Sequence, residues 1–402
     1  MLVVLLITCC SILVVTTESA SKHDYYDLYN DTFSLYNKNV RPVNNATDVL
    51  KIHIYFSLVY IHELLEKEQI LVSFGYIDLR WQDDSLSWDA SAYGHIESLV
   101  VPQSDVWRPD LVVGNSIEIR QKLGFDDLPI RVYADGYIAW RPTVLFRTSC
   151  HINVQFYPFD QQVCIIVLET MVSSALEIDP IVDNADESML TEYLPHGQWD
   201  LINAEIEKFE EPFSFKTSIN IRLTLQRRLT FYVLNIIVPI FCLSLLGVMV
   251  FALPANTGEK ISLAVAIVLA YMLFMSIIKD SIPQTSLPVA VLQVYLSLFI
   301  LLSALSVILS IIILRLYHKN PNDPIPRKIK RLVLWQCCAR CRKPNQIMAQ
   351  TTTIAEDMGN QNQMNNVTWQ DVSKSLDIGC FWLYVIVTLA ASGICLYNMI
   401  IQ

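Results

Sequence analysis

Charge is scarce in this sequence. Only 17% of its 402 residues are Asp, Glu, Lys or Arg, while 53% are hydrophobic; ordinary globular chains carry roughly 25% charged residues. A soluble domain of this size has no use for so much apolar surface, and the excess points to membrane-crossing segments. A phosphate-cradling loop, a zinc-ligand spacing and a nucleophile–base constellation are also missing. No enzyme activity, cofactor, metal or nucleic acid is therefore expected. Cysteine is nearly absent ahead of the apolar runs. Once the first twenty residues are set aside, that region holds only Cys150 and Cys164.

The charges that are present fall unevenly. The chain carries a net −10 and is acidic before Arg227, yet Arg315 to Lys343 is dominated by Lys and Arg. Such a split suggests two compartments separated by a membrane. Met1–Thr16 is uncharged and mostly apolar, and small residues follow at Ser19-Ala20-Ser21. This reads as a secretory signal peptide over residues 1–20, with a retained anchor helix as the alternative. The exported part contains the glycosylation sequons Asn30-Asp-Thr32 and Asn45-Ala-Thr47. In an oxidising compartment, the isolated pair Cys150 and Cys164 reads as one disulfide. Cys337, Cys338 and Cys341 follow a basic run, where palmitoylated and reduced thiols are equally open readings.

Residues 21–228 read as an extracellular all-β sandwich of immunoglobulin-like topology. Short alternating segments such as Lys51–Tyr60, Ile70–Trp81, Ile130–Trp140 and Thr217–Leu225 are separated by turn residues. A short helix is expected near 24–40. Four charge-free stretches follow, Leu229–Gly258, Ile261–Ile278, Ser281–Leu314 and Ile378–Gln402. Each is long enough to cross ~30 Å of hydrocarbon at ~1.5 Å per residue. The domain plan is thus three helices over 229–315, a cytoplasmic segment over 316–376 and a fourth helix over 377–402. The basic residues Arg327, Lys328, Lys330, Arg331, Arg340, Arg342 and Lys343 then lie inside, as the positive-inside rule requires. Within that segment, Ile325–Cys341 is expected to lie on the membrane as an amphipathic piece, a helix is expected to lead into the fourth span, and Gln346–Met364 is polar.

The second apolar stretch is bracketed by Glu259 and Lys260 before it and Lys279 and Asp280 after it. Helical steps of three and four from Glu259 reach Ser262, Ala266, Leu269, Leu273, Ser276 and Asp280. One stripe therefore runs from carboxylate through hydroxyl and an apolar belt to carboxylate. Repeated around an axis, such a stripe gives acidic rings that concentrate cations and an apolar girdle that closes by dewetting. The plainer alternative is that the charges mark interfacial helix ends.

The segment from Cys150 to Cys164 has Tyr157-Pro158-Phe159-Asp160 at its tip. It closely resembles the signature loop of Cys-loop receptors, the pentameric ligand-gated channels that include nicotinic acetylcholine receptors. Tyr157 is the one departure at the tip, where Phe is usual. Trp81-Gln-Asp83, Leu86-Ser-Trp88, Trp107-Arg-Pro-Asp110, Gln226-Arg-Arg228 and Pro254–Ser262 resemble further motifs of that family in the same order. The resemblance implies a homo- or heteropentamer in the plasma membrane, surrounded by lipid, with the second helix lining a pore for monovalent cations. Glu259 matches the inner cation-favouring ring, and Leu269 matches the hydrophobic gate. Ala266 departs from the usual Ser or Thr. The Cys150–Cys164 loop and the Ser281–Pro288 linker, including Pro283, would carry motion to the pore. Arg227 matches a coupling arginine, its plain alternative being a snorkelling interfacial residue.

The resemblance also implies a small-molecule agonist held in an aromatic cage, but the cage carries over poorly. Gly114 and Met171 stand where a tyrosine and a tryptophan are expected, and Tyr76 replaces a tryptophan on the opposing face. An adjacent cysteine pair is lacking before the first span, where Phe209 and Phe213 supply the aromatics. Asp78, Tyr133 and Arg141 complete the expected cleft, with Arg141 placed to meet an anionic group. The carboxylates Asp179, Asp183, Asp186, Glu187 and Glu192 form either a solvated loop or a divalent-ion site. Acetylcholine is therefore not the expected agonist.

Overall fold

A computed structural model describes residues 20–118, 123–125, 127–182, 189–210, 216–254, 258–283, 288–320, 323–326, 329–330, 333 and 368–400. Residues 1–19 of the expected signal peptide, Asp183, Asp186, Glu187, Phe213 and the middle of the Ser281–Pro288 linker lie outside the described residues. So do Arg327, Lys328, Arg331, Arg340, Arg342, Lys343, the three clustered cysteines and Gln346–Met364. Contacts divide the chain into two units. One comprises residues up to 65, 69–151 and 163–225; the other gathers 66–68, 152–162 and everything from 226 onward. This grouping differs from a boundary drawn at residue 228, because two short segments of the β region pack with the helices.

The first unit opens on helix α1, Lys22–Phe33, which begins where Ser21 and Asp24 cap each other's backbone N–H groups. Eleven strands follow: β1 Leu50–Leu65, β2 Ile70–Gln82, β3 Ser98–Pro102, β4 Leu111–Val113, β5 Pro129–Tyr133, β6 Tyr137–Trp140, β7 Thr143–Ser149, β8 Gln161–Thr170, β9 Ile178–Val182, β10 Trp199–Glu210 and β11 Thr217–Arg227. One sheet runs β3-β5-β6-β2-β1-β9 with β7 also on β2, and the other runs β10-β11-β8-β4. Period-two alternation sets the core. Along β2, Ile77, Leu79 and Trp81 are buried, whereas Tyr76, Asp78 and Arg80 face outward. Trp81, Trp140, Trp199, Phe56 and Phe146 fill the interior.

Ile130–Trp140 is two strands rather than one. The chain reverses at Asp135-Gly136, and Gly136 has φ +83°, with a Cβ there meeting the Asp83 carbonyl oxygen at 2.6 Å. Cys150 and Cys164 form the disulfide. Asn30 and Asn45 are both exposed.

Among the described residues of the second unit, four helices are long and apolar enough to cross a membrane: Thr230–Ala252, Glu259–Ser281, Val291–Tyr317 and Trp369–Asn398. The first contains a π turn over Val233–Ile237. It lies just before Pro239, whose missing N–H cannot continue the α-helical ladder. The third begins at Val291, after the expected Ser281–Pro288 linker with its Pro283 and Pro288. The fourth begins at Trp369, earlier than Ile378, because the charge that seemed to bound it, Asp377, is paired inside the helix bundle. Ile325, Ile329 and Val333, four residues apart, pack against Trp369 and Val372 of the fourth helix. Where the expected amphipathic piece is described, the fourth helix partly covers its apolar stripe.

Candidate ion path, coupling cluster and ligand cleft

In the second span, Glu259, Ser262, Ala266, Leu269, Leu273, Ser276 and Asp280 are all exposed on the single chain. The opposite side buries Lys260, Ala264, Ile267, Tyr271 and Ile278. The whole stripe expected from helical spacing therefore shares one uncovered face. Leu269 is 61% and Leu273 62% exposed, leaving a broad apolar belt for something outside the chain to contact.

Sequence reasoning did not distinguish Lys260 from Glu259, its neighbour. The structure separates them sharply. Lys260 is buried, forms a salt bridge with Asp377 of the fourth span, and has its ammonium 5.6 Å from the centre of the Phe251 ring. Its charge is therefore neutralised within the bundle, and Glu259 alone presents charge at that end of the open face. At the other end Lys279 and Asp280 are both exposed, so their charges offset.

The Arg227 side chain donates five hydrogen bonds. Its Nε and Nη2 donate to the two Asp160 oxygens at 2.7 and 2.9 Å, and its Nη1 and Nη2 donate to the two Glu66 oxygens at 2.6 and 2.7 Å. Nη1 also donates to the Tyr232 hydroxyl at 2.9 Å. The rings of Tyr157 and Tyr232 stand 4.8 and 4.9 Å from the guanidinium carbon. The side chain has no exposed surface, so the snorkelling alternative is wrong. Burial alone lowers its pKa, but the carboxylate hydrogen bonds outweigh that and hold the cation charged. Burial likewise pushes the Glu66 carboxyl up against the opposing pull of Arg227. Pro158 and Asp160 are buried beside Tyr157, which adopts a cis bond to Pro158. Nearby, Gln155 accepts from the Val291 N–H at 2.9 Å, where the third span starts. Pro283 is buried as well.

The expected ligand-cleft residues fall into two groups. Tyr76, Asp78, Tyr133 and Arg141 lie on the outward face of the seven-stranded sheet, where Asp78, Tyr133 and Arg141 line one cleft. Gly114 and Met171 directly follow β4 and β8 of the other sheet, and Phe209 lies in its β10. Gly114 donates to the Val167 carbonyl at 2.8 Å, and its missing side chain leaves room for Glu169, whose Cδ would be 2.8 Å from a Cβ. Met171 is held by Asp110: its N–H donates to the Asp110 carbonyl at 2.9 Å, while Val172 and Ser173 donate to the carboxylate at 2.6 and 2.9 Å. Burial raises the Asp110 pKa but these backbone bonds more than compensate, so the net shift is downward. The cleft that Asp78, Tyr133 and Arg141 line does not include Gly114, Met171 or Phe209. Of the described carboxylates in the candidate ion site, Asp179 pairs with Lys208 at 2.8 Å and Glu192 faces Arg141 at 3.8 Å. No group of three potential metal ligands occurs among the described residues.

A sandwich carrying this disulfide loop, followed by four spans, defines a class of membrane receptors. Residues 25–229 match the neurotransmitter-gated ion-channel ligand binding domain, and residues 236–346 match the transmembrane region of the same channels. The chain therefore belongs to the neurotransmitter-gated ion-channel family, a family of membrane channels and not of enzymes. Its relatives include acetylcholine receptor subunit alpha-like 2 of Drosophila melanogaster, 35% identical over 73% of this chain and 53% of that protein. Acetylcholine receptor subunit alpha-L1 of Schistocerca gregaria is 33% identical over 76% of this chain and 57% of its own length. Acetylcholine receptor subunit beta of Xenopus laevis is 31% identical over 83% and 70%. The chain thus spans little more than half the length of the first two.

Proposed function

We propose that five copies of this chain, alone or with related subunits, surround a ligand-gated pore that passes monovalent cations. The observation that carries this reading is the uncovered stripe of the second span, with Glu259 open and Lys260 neutralised by Asp377. Five such faces give a ring of carboxylates at one mouth, and the Leu269–Leu273 belt gives a constriction that excludes water when narrow. A scaffold without a pore gains nothing from this stripe.

Gating would run through Arg227, which ties the turn after β1 and the tip of the Cys150–Cys164 loop to the start of the first span. The ligand would enter where the Gly114 side of one copy meets the Arg141 side of the next. Gly114 and Met171 remove the aromatic surface that cation–π binding of a quaternary ammonium needs, so acetylcholine is not its agonist. The same two residues favour a second reading, an accessory subunit whose own agonist half is incomplete.

The test is voltage clamp of cells expressing the chain alone, with a Leu269→Ser variant to relieve the apolar belt. Standing current that reverses with the cation gradient, and loses that preference in Glu259→Ala, is expected. A reversal potential unmoved by Glu259→Ala sinks the selectivity assignment. Assembly of the chain without current, repaired by a related subunit, favours the accessory reading.

A further inference from the structure

Lys260 stands in the first turn of the second span, directly after Gly258 and Glu259. The unpaired N–H groups of that turn carry partial positive charge, which favours Glu259 and disfavours a cation beside it. Burial adds to the cost, since the Lys260 side chain is only 3% exposed and a buried ammonium is tolerated only with a partner. One helical step turns a side chain by about 100°. That step leaves Glu259 on the open face and sends Lys260 into the bundle.

The partner comes from the fourth span. Asp377 has a side chain 10% exposed and accepts a hydrogen bond from the Lys260 ammonium. The surroundings are otherwise apolar or aromatic. The Phe251 ring flanks the ammonium and packs on Tyr384 of the fourth span with ring centres 4.7 Å apart. Tyr384 donates to the Leu302 carbonyl of the third span at 2.8 Å, which fixes the fourth helix against the third. Val248 and Ile313 are buried in the same cluster, with Cys380 and Phe381 packed against it. Without the Asp377 charge, the ammonium has to find water or another anion. Its Cα lies one peptide from that of Glu259, ~3.8 Å away, so the released charge appears at the mouth that Glu259 occupies.

We infer that Asp377 is a positioning residue for ion selection: it draws Lys260 into the bundle so that Glu259 keeps its full charge at the mouth. Each Lys260 that escapes cancels one Glu259. The inference rests on reading the second span as pore-lining, and it places part of the selectivity on a helix that contributes nothing to the open stripe.

Two readouts on the full-length chain test it. The first is acylation of the purified protein by a membrane-impermeant sulfosuccinimidyl ester, with each lysine quantified by peptide mass spectrometry. Lys260 is expected to be protected relative to the exposed Lys279 in the parent, and to label severalfold faster in Asp377→Asn. The second is single-channel recording. Asp377→Asn is expected to lower cation conductance about fourfold, the local enrichment that a unit charge ~5 Å from a permeating ion supplies in water, and to move the reversal potential toward that of the anion gradient. The double variant Lys260→Gln, Asp377→Asn removes the released ammonium and is expected to regain the parent conductance and selectivity. A pair with a merely structural role leaves the double variant as impaired as the single one. Should Asp377→Asn not assemble alone, its co-expression with the parent is expected to give stepwise smaller conductance levels. The inference is overturned if Asp377→Asn leaves Lys260 protected or conducts as the parent does. It is equally overturned if the double variant fails to recover, or if mixed assemblies show a single conductance. Because labelling is read without current, a silent parent whose Lys260 is released by Asp377→Asn counts against the channel reading alone. Parent currents that Asp377→Asn leaves unchanged count against the positioning role alone.

Discussion

At Arg227, two carboxylates from distant parts of the sequence converge on one guanidinium. Truncation to alanine leaves Glu66 and Asp160 buried and facing each other, which costs on the order of 3–5 kcal/mol for a buried charge stripped of its partner. Arg227→Ala is expected to abolish folding or surface delivery, whereas Arg227→Lys retains charge but loses the forked bonds and lowers thermal stability measurably. If a lysine here unfolds at the parent temperature, the forked geometry contributes nothing. Asp110 predicts a pH dependence. Its carboxyl titrates below the ordinary carboxylate range in the folded chain, so its contribution is present at neutral pH and is lost as pH falls through that lowered value. Protease nicking near Val172 should rise in acid, and Asp110→Asn should show the same nicking already at neutral pH. At this scale the sequence was partly legible. The Trp107-Arg-Pro-Asp110 motif could be recognised, but nothing near Lys260 announces that its partner is Asp377, over a hundred positions away. A long-range ion pair leaves no local periodicity.

The second span is the element whose reading from spacing matched its exposure most closely, because a helix turns period into face without help from neighbours. The third and fourth helices start away from the ends of the charge-free stretches for opposite reasons: prolines delay one past the expected Ser281–Pro288 linker, and a paired charge lets the other begin in the helix expected to lead into it. Leu269 sits mid-belt on the open face, and Leu269→Ser is expected to increase resting leak, read as holding current without ligand. The strands β4 and β8 explain why restoring an aromatic cage is not a single change. Gly114→Tyr drives its Cβ into the Glu169 side chain. The double variant Gly114→Tyr, Met171→Trp is therefore expected to gain acetylcholine response only when Glu169→Ala accompanies it. A response in the double variant alone would show that Glu169 yields freely.

For the whole molecule, the order of motifs made the fold and family legible, since the sandwich, disulfide loop and four spans each leave a local signature. How the two groups of expected cleft residues come together was not legible from one chain, because they lie at different sheets. The contact grouping also differs from the linear plan. Residues 66–68 and 152–162 pack with the helices, although the sequence embeds them among strands. Anyone grafting this membrane region onto a foreign receptor head should carry those two segments along with the helices. A splice placed after Leu225 that ignores them would strand Arg227 among unfamiliar neighbours and yield a hybrid that binds its ligand yet never opens.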